Sequence, residues 1–175
     1  NIGYIAVTEF DVITVEQFKA AVDELEKDGM KGLIIDLRSN PGGVLDGAVK
    51  MADYLLPDDI SKYDKGEGKT LIVYTADKNE KGDIYTASDK HELDLPMVIL
   101  INGDSASASE VFTGAMKDYD RATVVGTTSY GKGIVQNLIP LGDGSAIKIT
   151  TAHYYTPSGF DLHGKGIEPD VAVEL

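Results

Sequence analysis

Apolar residues along this chain fall into short continuous runs, separated by stretches in which they recur every three or four positions. Residues 2–8 read as a strand. Thr14 with Gln17 forms a capping box ahead of Val15, Phe18, Val22 and Leu25, which predicts a helix closed by Gly29. The run 32–37 predicts a strand buried on both faces, and 45–54 has helical spacing up to Pro57. Residues 70–75 give another buried strand, whereas 77–94 is polar and turn-rich, an excursion with at most a brief strand at 84–87. A strand at 97–101 then leads into a helix over 108–119, with Val111, Phe112, Ala115 and Met116 facing inward, and 123–125 is the next strand. Beyond it, 135–141 and 145–154 flank Gly142, Asp143 and Gly144, a hairpin signal, and 156–169 is a Gly- and Pro-punctuated loop. Alternating strands and helices predict a layered α/β fold, because parallel neighbours need crossover helices.

The 175 residues, 42% of them hydrophobic, suffice for one domain with a single core, so 1–175 is read as one unit. Basic residues number 16 against 29 acidic, and the formal charge of -13 without a Lys/Arg cluster argues against nucleic acid or anionic lipid as partner. With no cysteine there is no disulfide, thiolate metal site or cysteine nucleophile, and such a chain suits an oxidising compartment. No apolar run approaches about 18 residues and no leader precedes the first strand, whose abrupt start resembles a fragment of a longer protein.

Three segments carry candidate chemistry. Residues 102–110, N-G-D-S-A-S-A-S-E, lie where a buried strand hands over to an amphipathic helix. A serine there stands beside an unpaired first-turn N–H and the positive end of the helix dipole, which suits an acyl-transfer oxyanion. Taken alone, the segment reads first as an N-cap with three candidate serines. Residues 130–136, Y-G-K-G-I-V-Q, set Lys132 between two glycines; a surface lysine in a turn is the ordinary reading. Lys132 becomes a base only if burial lowers its pKa, which Ile134 and Val135 would assist, and Gln136 on the same strand face would orient the amine. Residues 36–43, D-L-R-S-N-P-G-G, place two glycines after a strand, where open α/β sheets bind ligands; an ordinary turn is the alternative.

Together the three segments, with Y-Y-T-P-S-G at 154–159 and G-K-G-I-E-P-D at 164–170, resemble the carboxyl-terminal processing (tail-specific) peptidases over essentially the whole chain. The resemblance implies a crotonase/Clp-protease-like layered core ending in a β-hairpin, with Ser107 as nucleophile, Lys132 at the family's spacing as general base and Gln136 as third catalytic member. It also implies an oxyanion hole from Ala108 and from Gly42 or Gly43. No metal or organic cofactor is required. The substrates implied are proteins or peptides with unstructured C-terminal tails, in a periplasm or cell envelope. Family members usually carry a PDZ domain upstream, and this sequence starts where the part after it would begin. Asp104 and the 160–163 stretch differ from typical members, with a bearing on specificity more than activity.

Three other readings compete. A Ser-His-Asp site would need His91, His153 or His163, none of which falls near a second motif. A crotonase-like acyl-CoA enzyme would want a basic patch and has no use for Ser107 with Lys132. A catalytically impaired core acting as a peptide-binding or regulatory module is opposed by the intact Ser, Lys and Gln.

Overall fold

Val, Ile and Leu crowd the runs that become strands, and the computed structural model, which describes residues 1–174, joins them into two sheets. Strands β1 (Gly3–Ala6), β2 (Leu33–Asp36), β5 (Met97–Ile101), β6 (Thr123–Gly126) and β9 (Val171–Ala172) form a parallel sheet in the order β1-β2-β5-β6-β9. Strands β3 (Leu71–Ala76), β4 (Ile84–Thr86), β7 (Ile134–Pro140) and β8 (Ala146–Tyr155) form an antiparallel sheet in the order β4-β3-β8-β7. The connections from β1 to β2, β2 to β5 and β5 to β6 pass through α1 (Thr14–Lys27), α2 (Leu45–Leu55) and α3 (Ala108–Asp118), while β6 reaches β9 through the β7–β8 hairpin.

The helices lie side by side, α1 on α2 and α2 on α3, while α2 and α3 also meet β3 of the second sheet. Between two sheets a helix has little wet face, which is why Ala108–Met116 of α3 is buried throughout and, of Gly47–Leu55 in α2, Lys50 alone is exposed. Phe10 and Phe112, ring centroids 6.3 Å apart, fill the space between the start of α2 and α3. The Tyr119 hydroxyl donates to Leu71 O at 2.8 Å and ties the end of α3 to β3.

Two expectations change, and two features go beyond them. The strand 32–37 is not buried on both faces: Leu33 and Ile35 are buried but Ile34 is half-buried, since a single helix layer covers one face of the parallel sheet. Thr14 is the first helical residue of α1, and Asp11 supplies the cap instead, its Oδ1 accepting from Ile13 N and Thr14 N at 2.8 Å each. Beyond the 156–169 loop the chain adds β9, anchored by the preceding Asp170, which is fastened by Lys117 at 2.6 Å and by Val124 N–H at 2.8 Å. The β7–β8 hairpin forms in the expected place, but residues 136–151 are exposed throughout. Among the described residues, no helix is long and apolar enough to cross a membrane.

Candidate active site

Ser107 ends the loop after β5 and stands at the N-cap of α3 with φ 56° and ψ −116°, a left-handed backbone that a β-carbon disfavours. Such a conformation costs about 1 to 3 kcal/mol and persists only where its surroundings hold it. Here they do. Glu110 reaches back one turn, and its Oε2 accepts the Ser107 N–H at 2.8 Å, one half of a capping box. The Glu110 N–H faces the Ser107 side chain as the other half of the box, but its hydrogen bond of normal geometry goes to Ser107 O at 2.9 Å, and the half-exposed hydroxyl is accessible for chemistry.

Its neighbours are not available. Ser105 is fully buried, donates to Leu37 O at 2.8 Å and accepts from Asn102 N at 3.0 Å. Ser109 is fully buried and donates to Asn40 O at 3.0 Å. Alternation along the turn thus sends two serines inward as structural groups and one outward, which the three-serine motif alone left open.

The N-P-G-G turn packs directly on this elbow. A β-carbon on Gly42 would stand 2.8 Å from Ser107 Cβ and 2.9 Å from Ala108 N, so the turn's backbone approaches the nucleophile as closely as backbone can. Asn40, fully buried, pins the turn: its Nδ2 donates to Val7 O at 2.7 Å, its Oδ1 accepts from Gly42 N at 2.9 Å, and its carbonyl accepts from Ala106 N at 3.0 Å. Of the two glycines named as donors, Gly42 is therefore engaged already, and what it contributes is room. The N–H groups of Gly43 and Ala108 have no partner among the described residues. Gly43 is exposed, and Ala108 opens α3, where the helix dipole favours negative charge. Upstream of this turn, the Arg38 guanidinium, helped by the Tyr4 hydroxyl, holds the Asp36 carboxyl down to about 2 against the opposing effect of burial.

Lys132 lies in the loop before β7. Its N–H donates to Glu110 Oε2 at 2.9 Å, the oxygen that also takes the Ser107 N–H, so the two backbones stand within two hydrogen-bond lengths of each other. The expected burial of Lys132 is not found: its side chain is exposed, because no layer covers the hairpin that follows, and Ile134 and Val135 are only half-buried. Gln136 is exposed as well, with Nε2 at 3.5 Å from Thr150 Oγ1, and it makes no hydrogen bond to Lys132 among the described residues. The backbone thus brings Ser107, Ala108, Gly42, Gly43 and Lys132 together, while the Lys132 and Gln136 side chains are not joined to the serine.

The histidines stand apart from this group. His91 stacks on Tyr54, and His153 pairs with Asp161 at 3.1 Å; neither they nor His163 hydrogen-bond to Ser107 among the described residues. Asp23, Glu26 and His91 are close enough to share a cation, but they lie on α1 and in the 77–94 excursion and include no site residue. Sequence reasoning missed Asn40 and Glu110, although both sit inside the motifs it quoted: a polar residue opening N-P-G-G and the acid closing S-A-S-A-S-E.

A serine on a strained strand-to-helix elbow, with free backbone N–H groups on two adjoining segments, defines the arrangement used by serine acyl-transfer hydrolases on layered α/β folds. The chain belongs to peptidase family S41, whose model matches residues 1–173. It is 42% identical over 180 residues to a carboxy-terminal-processing protease of Bartonella bacilliformis, covering 99% of this chain and 39% of that protein. It is 44% identical over 176 residues to a probable CtpA-like serine protease of Staphylococcus aureus, covering 99% of this chain and 34% of that one. The chain therefore spans little more than a third of the length of these relatives. Among solved structures, the photosystem II D1 C-terminal processing protease superposes with a TM-score of 0.89 at 35% identity, over 99% of this chain and 42% of the other.

Proposed function

We propose that this chain is the catalytic core of a serine endopeptidase that cuts proteins near their C-terminal tails, with Ser107 as nucleophile, Lys132 as base and Gln136 as its orienting partner. The observation that carries the reading is the half-exposed Ser107 on its positive-φ elbow, while Ser105 and Ser109 are fully buried and hydrogen-bonded to backbone carbonyls. In the reaction, the neutral Lys132 amine takes the Ser107 proton as Oγ attacks the scissile carbonyl. The carbonyl π electrons move to oxygen, and the Ala108 and Gly43 N–H groups receive that charge. Collapse breaks the C–N bond, and the protonated amine returns its proton to the departing nitrogen. Water, deprotonated by the same amine, then attacks the acyl-enzyme carbonyl, the C–Oγ bond breaks, and the ammonium returns the proton to Ser107 Oγ. Every step is served by groups of this chain.

Lys132 is exposed in the free core, and in this reading a substrate laid across the 130–133 loop covers it and excludes water during the reaction. Tail preference is supported by the relatives described as carboxy-terminal processing proteases, and an extracytoplasmic location is part of the proposal that follows from the family resemblance. Unstructured protein tails are the partners, and an upstream PDZ domain would hold the tail's end by strand addition and raise its local concentration. The test is incubation with proteins carrying unstructured C-terminal extensions, with the cut sites mapped by mass spectrometry. The expected result is cleavage close to the C-terminus, abolished by Ser107→Ala. Cleavage by Ser107→Ala at the same sites would overturn the reading.

A further inference from the structure

We infer that Glu110 is a positioning residue that locks the nucleophile elbow to the loop of the base, an inference that rests on the Ser107–Lys132 reading above. Its carboxylate is 1% exposed and lies in the first turn of α3, one turn beyond Ser107. Oε2 accepts from Ser107 N at 2.8 Å and from Lys132 N at 2.9 Å, while Oε1 accepts from Gly131 N and from Ser129 Oγ at 2.6 Å each. No Lys, Arg or His forms an ion pair with it among the described residues. Its charge is met by four N–H or O–H donors and the helix N-terminus, a full set for a buried carboxylate.

The network reaches further than a helix cap needs. Ser129 Oγ accepts from Ile167 N at 2.7 Å while it donates to Glu110, so the 164–170 segment bears on the same carboxylate. Gly166 is held against Ser129, whose carbonyl would stand 2.3 Å from a β-carbon there, and Tyr130 N donates to Ser105 O at 3.0 Å. A cap would satisfy Ser107 alone. Glu110 instead sets three groups of the base loop, Ser129 Oγ and the Gly131 and Lys132 N–H, in register with the serine. Glutamine in its place has one acceptor oxygen, so its NH2 must face either the Ser107 and Lys132 N–H pair or the Ser129 and Gly131 pair, and one side of the lock opens.

The test uses a small fluorophosphonate that acylates an activated serine, with Glu110→Gln, Glu110→Asp and Ser129→Ala beside the unaltered chain. Two quantities are read, the fraction of molecules that label to completion and the rate constant of labelling across pH. Glu110→Gln is expected to label to a similar final fraction, about 100-fold more slowly, with its rising pH limb displaced. Ser129→Ala, which removes one donor and keeps the charge, is expected to slow labelling about 3- to 10-fold, and Glu110→Asp to fall between the two. A merely structural Glu110 would reduce the labelled fraction while the folded molecules reacted at the unaltered rate, and that result would overturn the inference. Should Glu110→Gln not fold, an unaltered rate in Ser129→Ala and Glu110→Asp overturns it equally. An unaltered chain that fails to label at Ser107 would instead remove the peptidase reading beneath it.

Discussion

Replacing Ser105, Ser107 and Ser109 by alanine one at a time separates stability from chemistry within a five-residue turn. Ser105→Ala removes the acceptor of Asn102 N, whereas Leu37 O keeps a second donor in Asn40 N. One part-buried N–H is thereby orphaned, at a cost of about 2 to 3 kcal/mol including the lost Ser105 bond. Ser109→Ala leaves Asn40 O still paired with Ala106 N, so about 1 kcal/mol is lost. Ser107→Ala removes a hydroxyl that makes no cap bond, and alanine tolerates the positive φ no worse than serine, so its effect is within about 0.5 kcal/mol. In thermal unfolding these become falls of about 4 to 12 °C, about 2 to 4 °C and almost nothing. Fluorophosphonate labelling should run in the opposite order, lost only in Ser107→Ala. Labelling that survived in Ser107→Ala and vanished in folded Ser105→Ala or Ser109→Ala would refute the placement of the nucleophile. Equal melting losses in all three would refute the hydrogen-bond reasoning.

Gly42→Ala puts a β-carbon 2.6 Å from Ala106 O and 2.8 Å from Ser107 Cβ at φ +101°, and should cost about 3 kcal/mol or more and slow labelling at least about 100-fold, read by denaturant melts and labelling rates. Asp36, with its folded pKa depressed to about 2 by Arg38, contributes stability that is present above the ordinary carboxylate range and lost as pH falls from about 4 through 2. Against Asp36→Asn, the unaltered chain should thus lose about 1 to 2 kcal/mol over that window, and parallel pH–stability curves would contradict the pairing. A longer chain carrying a PDZ domain ahead of these residues should cleave tails faster and more selectively than residues 1–175 alone, and equal rates for the two would contradict tail capture.

The order of strands and helices was legible because each buried element is either a short apolar run or an amphipathic repeat, and burial between two sheets demands such patterns. What misled was local. Thr14 and Gln17 have the letters of a capping box, but Asp11 lies closer to the free N–H groups, and a one-turn shift moves the cap without altering the hydrophobic repeat. Strand β9 has only Val171 and Ala172 in the ladder and owes its place to Asp170, a tertiary anchor with no local signal. The site was legible as motifs, yet not as a division of labour. Nothing in S-A-S-A-S-E says which hydroxyls turn inward, because that depends on Leu37 O and Asn40 O from a distant segment. The burial of Lys132 was inferred from two apolar neighbours in sequence, and β-branched residues on an uncovered hairpin do not exclude water.

The most direct test of the Ser107–Lys132 centre is turnover of a tail peptide by Lys132→Arg beside Lys132→Ala. Arginine preserves charge and reach but does not deprotonate in proteins, so it cannot take the serine proton. Both variants should fold as the unaltered chain does, since Lys132 is exposed and its backbone N–H contact to Glu110 is retained, and both should lose turnover by several orders of magnitude. Substantial turnover by Lys132→Arg would show that the lysine acts as a fixed charge and that the base lies elsewhere.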